Sequence, residues 1–231
     1  MPKKQILLSW SGGKDSAWAL HLLRQDPEFE VVGLLTTVNE HFHRVAMHGF
    51  REELLDLQGE AAGLPLWKVP LPWPCSNTVY ERLMLEVSQR AVAEGLYGVA
   101  YGDLFLHDIR AYRVEKMAGT GLEPIFPCWL LPTDELAHAM IAAGVRTHIV
   151  CVDPRKMDRR FAGRLFDEQL LAELAELPEP VAPCGELGEF HTYVSSGPMF
   201  SRSIEVSPGE VVERDSFIYA DLYPASNPAH L

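Results

Sequence analysis

What most constrains this chain is the octapeptide Ser9-Trp10-Ser11-Gly12-Gly13-Lys14-Asp15-Ser16, set between an apolar run, Ile6-Leu7-Leu8, and a helical pattern through Ala17, Leu20 and Leu23. The order reads as strand, glycine turn and helix start. Such a turn aims several backbone N–H groups and a helix N-terminus at one point, which suits phosphate oxygens. Gly12 and Gly13 let the backbone approach a ligand, and Lys14 adds a charge the backbone cannot supply. The common phosphate loop is excluded. It needs a glycine five residues before Gly13 and a Ser or Thr directly after the lysine, where this chain has Leu8 and Asp15. A carboxylate beside phosphate calls for a divalent cation between them, which makes Asp15 the candidate ligand for Mg²⁺. A turn that merely caps a helix is the bland alternative, and six coherent positions at a first strand–helix junction weigh against it.

The loop resembles the PP-loop of ATP pyrophosphatases, whose signature is Ser-x-Gly-Gly-x-Asp-Ser. The match falls on Ser11, Gly12, Gly13, Asp15 and Ser16, and Ser9 supplies the further hydroxyl of the fuller form. That resemblance implies ATP, its β,γ-pyrophosphate held by the loop while the bond to the α-phosphorus is broken.

Size and charge narrow the classes. A chain of 231 residues can bury roughly 70–75 % of its unfolded surface, enough for one large domain or two modest ones. No apolar run approaches the ~18–20 residues a membrane span needs, and Met-Pro-Lys-Lys before a strand lacks the shape of a signal peptide. Cys75, Cys128, Cys151 and Cys184 have no metal-ligand spacing, so reduced thiols in a cytoplasmic enzyme are expected. A net charge of −12 repels polyphosphate backbones and disfavours nucleic acid. Arg155, Lys156, Arg159 and Arg160 are a local exception, read as a solvated helix face ahead of an RNA patch. A homo-oligomer is compatible with all of this.

Strands alternating with amphipathic helices predict an α/β fold, a doubly wound, mostly parallel sheet over residues 1–125. Its strands are expected at Glu30–Val38, Leu66–Val69 and Tyr97–Tyr101. The first helix should end at Asp26-Pro27, a second should carry Phe50, Leu54, Leu57 and Ala61 on one face and close at Gly63, and a third should be capped by Ser76 or Asn77. Residues 126–231 predict a smaller α+β domain over the ligand edge of the first. There a helix from Thr133 to Gly144, a strand Val145–Asp153 and a helix from about Asp158 to Leu177 are expected. Pro178, Pro180 and Pro183 then lead into a glycine-rich loop. Two closing strands, Phe200–Val206 and Val211–Leu222, turn at Ser207-Pro208-Gly209, and the tail after Pro224 is expected to be loose.

Three stretches in order carry a narrower resemblance: the loop, GDLFLHDIRAYRVE from Gly102 to Glu115, and CGELGEFHT from Cys184 to Thr192. Together, and with a helix opening at Met47-His48-Gly49, they resemble the diphthine–ammonia ligase family. This implies an adenine nucleotide α-hydrolase-like, Rossmann-like domain followed by a substrate domain. It also implies ATP-dependent amidation of diphthine, a modified histidine on elongation factor 2, and eukaryotic members with additional C-terminal domains. Bacterial members exist where diphthamide is not made, so the acceptor carboxylate stays open.

The chemistry assigns roles. A carboxylate attacks the ATP α-phosphorus, pyrophosphate leaves, and ammonia displaces AMP from the acyl-adenylate. Lys14 would neutralise phosphate charge, and Ser9, Ser11, Gly12, Gly13 and Ser16 would hold pyrophosphate. Thr36, His48 and Gly102 join the nucleotide site, and Asp103 would orient metal or substrate unless it is only a turn carboxylate. Arg110 would hold a phosphate or the acceptor carboxylate, or pair with Asp108. Glu186, Glu189 and His191 would bind a cation or take the proton from attacking ammonium, unless their loop merely faces solvent. Nothing around Cys184 or Pro2 suggests a built-in glutaminase, so free ammonium is the expected nitrogen source. Two other readings remain: a PP-loop tRNA-modifying enzyme and a non-catalytic nucleotide-binding module.

Overall fold

β1 (Lys4–Ser9) holds Ile6, Leu7 and Leu8 at zero exposure, as a strand covered on both faces must. A computed structural model describes residues 2–179 and 181–225 of the chain. In it β1 pairs in parallel with β2 (Phe29–Asn39) on one side and β5 (Gly98–Ala100) on the other. β4 (Leu66–Leu71) extends the sheet beyond β2, and β6 (Glu123–Ile125) beyond β5, both parallel. The two-residue β3 (Arg44–Val45) runs antiparallel to Val38 and Asn39, where β2 has outrun β1. Strand order therefore reverses at β1. The crevice beyond the carboxyl ends of β1 and β5 is the topological switch point at which such sheets bind ligands.

The local signals explain most element ends. α1 (Lys14–Gln25) stops before Asp26-Pro27. α2 (Glu52–Ala62) ends at Gly63 in the left-handed conformation (φ 64°). α3 (Asn77–Ala93) is capped by Ser76, whose Oγ accepts from the Val79 N–H at 3.3 Å. α4 (His107–Met117) follows the Gly102-Asp103 turn. Phe50 precedes α2 instead of riding on it, and β4 continues through Pro70, which an outermost strand tolerates.

The second layer is an antiparallel sheet of β7 (Arg146–Val152), β8 (Phe190–Ser196), β9 (Val206–Arg214) and β10 (Phe217–Pro224), in the order β8-β7-β10-β9. α5 (Thr133–Ala142) and α6 (Glu168–Ala175) complete it. Three expectations are corrected. The helix from Asp158 to Leu177 is broken: a 3₁₀ turn, Arg159–Phe161, is followed by extended chain that bonds to β7, and Asp167 then caps α6. The Gly163 N–H donates to Ile149 O at 2.8 Å and the Ile149 N–H to Arg164 O at 2.9 Å, so β7 claims the backbone groups a helix would need. Ser207-Pro208-Gly209 lies inside β9, an edge strand where proline is allowed, and the hairpin turns at Asp215-Ser216, both with positive φ (50° and 65°). Phe200–Ile204 is not a strand, whereas Phe190–Ser196, expected as the end of a glycine loop, is. The tail after Ala225 and Pro180 lie outside the described residues.

One apolar core runs through both layers, from Ile6 and Leu8 to Phe190, Val194 and Leu222. Its polar pin is Gln58, fully buried. Its Nε2 donates to Gly12 O at 2.9 Å and Val194 O at 2.8 Å, while its Oε1 accepts from Trp10 Nε1 at 3.0 Å. The Val194 N–H also donates to Gly12 O, at 2.9 Å. Replacing Gln58 by Leu strands Val194 O and the Trp10 indole, so denaturant unfolding should show a loss of about 3 kcal/mol.

Candidate active site

The glycine loop is shaped by what surrounds it. Gly12 has φ +76°, and a Cβ there would overlap the Phe50 ring and stand 2.7 Å from Gln58 Oε1. A Cβ on Gly13 would lie 2.7 Å from His48 Cε1 and 3.0 Å from Thr192 Oγ1. Only glycine fits at either place. Ser16 Oγ donates to Gly13 O at 3.0 Å, and Ser11 Oγ accepts from the Gly13 N–H at 3.3 Å while meeting Ser16 Oγ at 3.2 Å. The Lys14 N–H donates to Thr192 Oγ1 at 3.1 Å. β8 thus lies directly against the loop.

Lys14 is 2 % exposed. Its ammonium donates to both Asp15 carboxylate oxygens, at 3.0 and 2.9 Å, and to the Cys184 carbonyl, and it faces the Phe190 and Phe166 rings at 5.5 and 5.9 Å. Burial opposes its charge, but Asp15, Cys184 and Glu186 outweigh burial and raise its pKa. Glu186 reaches the same cluster from the other layer, its Oε1 accepting from the Leu104 N–H at 3.1 Å. Burial first, then the negative charge of Asp15, push its pKa up to about 7. Asp103 is engaged by Arg113 through two bonds of 2.5 and 3.1 Å.

His48 and His191 pack ring to ring, 4.8 Å between centroids. His48 Nδ1–H donates to Thr192 O at 2.8 Å. Burial and then Lys14 lower its pKa to about 4, against the pull of that carbonyl. His191 is lowered to about 3 by burial, His48 and Lys14. Both rings are neutral near pH 7, so neither adds cationic charge and neither is a strong base.

A cavity of about 500 Å³ opens at the switch point, within the range of small-molecule sites. Ser9, Ser11, Thr36, His48 and His191 line it, together with Arg113 and Tyr101. The Thr36 hydroxyl is already committed, donating to Trp10 O at 2.8 Å. Lys14, Asp15, Asp103 and Glu186 form an adjoining charged group. Gly102 serves packing: a Cβ there would stand 2.8 Å from the Asp15 carbonyl. Glu189 lies apart, 5 % exposed, with Oε1 accepting from the Ala182 N–H at 3.4 Å and Oε2 without a partner. Arg110 is exposed and stacks over Phe126 and Trp129 at 4.9 and 5.0 Å, so Asp103 pairs with the arginine one turn on.

Sequence reasoning missed Gln58, Thr192, Arg113 and the Cys184 carbonyl. Gln58 left a trace, a lone amide on the apolar face that also holds Leu54, Leu55, Ala61 and Ala62. Among the described residues no three His, Cys, Asp or Glu side chains are grouped to hold a metal by themselves. A hard cation here would take Asp15 as its protein ligand and complete its shell with phosphate oxygens and water. Asp15 keeps 27 % of its side chain exposed, and the charge it presses onto Glu186 is what such a cation would relieve.

The layers and the loop at the switch point define a Rossmann-like α/β protein with an antiparallel domain closing over its ligand edge. Family models described as diphthamide synthase N-terminal domain and diphthamide synthase C-terminal domain match residues 3–105 and 132–221. The chain is 27 % identical over 237 residues to a diphthine–ammonia ligase of Bos taurus and 27 % over 241 residues to that of Homo sapiens, each covering 91 % of this chain and 85 % of the relative. The Schizosaccharomyces pombe diphthine–ammonia ligase is 24 % identical over 225 residues, 89 % of this chain and 36 % of that protein. The chain belongs to the diphthamide synthase (diphthine–ammonia ligase) family. Extra length beyond the match is thus large in the yeast relative and small in the mammalian ones.

Glu186 should leave a pH signature. Its folded pKa of about 7 exceeds the ordinary 4.5, so between those values the native state holds a proton the unfolded chain has released. The Glu186 contribution to the stability of the metal-free protein should fall as pH rises from about 4.5 to 7 and level off above. It runs against the opposite slope of His48, His191 and His148, which are held neutral in the fold and add stability as pH rises toward 6.5. The difference in denaturant stability between the parent and Glu186→Gln should therefore shift in that one direction across this range, and a difference that does not change with pH would overturn the assignment.

Proposed function

We propose that the protein is an ATP-dependent carboxylate–ammonia ligase that forms AMP and pyrophosphate, with diphthine, which its relatives' name indicates, as the acceptor and elongation factor 2 as the protein that carries it. The observation that carries this reading is the Lys14–Asp15–Glu186 cluster, in which the glycine loop and the second layer supply opposite charges at one point. ATP occupies the cavity with its β- and γ-phosphates on Ser9, Ser11, Gly12, Gly13 and Ser16. Asp15, with Asp103 at hand, would hold Mg²⁺, and the cation would offset phosphate charge. Lys14 stabilises the charge that builds on the departing pyrophosphate. The acceptor carboxylate oxygen bonds to the α-phosphorus as pyrophosphate leaves. Ammonia then bonds to the acyl carbon as AMP leaves, and Glu186 takes the proton the nitrogen sheds. A base near pKa 7 suits that step, whereas His191 near 3 would hold the proton too weakly. We place the domain boundary at residues 125–126 and the protein in the cytoplasm.

Thiol-based tRNA chemistry is disfavoured. Cys184 is buried with its thiol pushed up to about 12, and Cys128 is raised further, both by burial first.

The test supplies ATP, ammonium and diphthine-bearing elongation factor 2 and assays the nucleotide products. AMP and pyrophosphate in step with amide are expected, and ADP would overturn the mechanism. Asp15→Asn should lower kcat by about 10²–10³-fold. A non-catalytic module would instead bind ATP, release no pyrophosphate and tolerate that change.

A further inference from the structure

The segment Arg44–Arg51 brings Met47 and His48 to the cavity wall, and what grips it lies 170 residues further along the chain, on β10. Alternate residues of that strand share one face, and Tyr219, Asp221 and Tyr223 all reach the segment. Asp221 accepts from Arg44 Nη1 and Nη2, each at 3.0 Å, and from Arg51 Nε and Nη2, at 3.2 and 2.7 Å. Its side chain is only 13 % exposed. Burial disfavours its charge, yet the two guanidinium groups hold its pKa below the ordinary carboxylate value. Arg44 Nη1 also donates to Gly49 O at 2.7 Å, and Arg51 stacks on the Tyr223 ring at 4.1 Å. Gly49 (φ +73°) lies so close to Tyr219 that a Cβ would come within 2.5 Å of the ring.

The segment needs such a grip. Met47 sits at φ 64°, a conformation a non-glycine residue keeps only when its surroundings impose it. Between Arg44 and Arg51 the chain turns back on itself, the Val45 N–H donating to Phe50 O and the Gly49 N–H to Val45 O. His48 is thereby pressed against Gly13, Thr192 and His191.

We propose that Asp221 is a positioning residue for nucleotide binding: by holding Arg44 and Arg51 together it fixes the 44–51 segment as the cavity wall and seats His48 on the glycine loop. The inference rests on the reading that this cavity takes ATP. Without the carboxylate, two arginines on one short segment repel each other and the turn opens toward the cavity.

The test compares the full chain with Asp221→Asn, Asp221→Glu and Gly49→Ala, the last lifting the same turn off Tyr219 while leaving Asp221 in place. In Asp221→Asn, amide hydrogen exchange should accelerate at least tenfold across residues 44–51 and stay unchanged in β1 and β7. Kd and KM for ATP with Mg²⁺ should rise about tenfold with kcat within twofold, Asp221→Glu should recover part of the loss, and Gly49→Ala should reproduce it. Looser exchange with ATP affinity within twofold of the parent would overturn the proposal, as would acceleration throughout the molecule. Should Asp221→Asn not fold, Gly49→Ala decides by the same two readouts. A parent chain that binds no ATP would sink the proposed function, and with it any nucleotide role for Asp221. Exchange across 44–51 would in that case still show whether Asp221 holds the segment.

Discussion

A lysine ammonium at 2 % exposure is the constraint around which the molecule is built. A buried cation persists only if opposite charge and hydrogen-bond acceptors surround it, since desolvation alone would cost several kcal/mol. Asp15 comes from the same helix turn, but the Cys184 carbonyl and the Phe190 ring come from beyond residue 180. The N-terminal sheet alone therefore leaves Lys14 incompletely satisfied. Gln58 repeats the arrangement without charge, tying Gly12 to Val194.

This arrangement also explains the altered acidities. Glu186 is pushed up and His48 and His191 are pushed down by one shared environment, a buried site holding a positive charge beside a negative one. Desolvation disfavours every charged form there, and neighbouring charge then separates the groups. The outcome is a carboxyl able to exchange protons near neutrality beside two imidazoles that stay neutral.

Much of the first layer was legible because its signals are local. An apolar triplet before Ser9, a proline after Asp26 and a glycine at 63 each act within a few residues. The strand, glycine turn and helix start that carry Ser9 to Ser16 were legible for the same reason. The second layer was harder. Its helix after Asp158 yields to backbone bonds with β7, and its last turn uses Asp215-Ser216 while the stronger signal, Pro208-Gly209, sits in an edge strand. Thr192, Arg113 and Asp221 were not singled out because each acts on a partner far along the chain or on another element, and no spacing rule reports that. Glu189 carries the same side chain as Glu186 three positions earlier, yet burial sets it apart from the charged group.

The long-range bond from Lys14 to Thr192 spans 178 residues, and it bears on how the chain is made. During synthesis from the N-terminus the glycine loop emerges well before β8 and β10. Contacts of such separation close slowly, because loop entropy is lost before they form. Until those strands dock, a nascent chain displays the loop with no seat for its lysine. Emergence of β8 and completion of the binding site thus become a single event, and a product truncated before β8 would carry the glycine loop without a finished site.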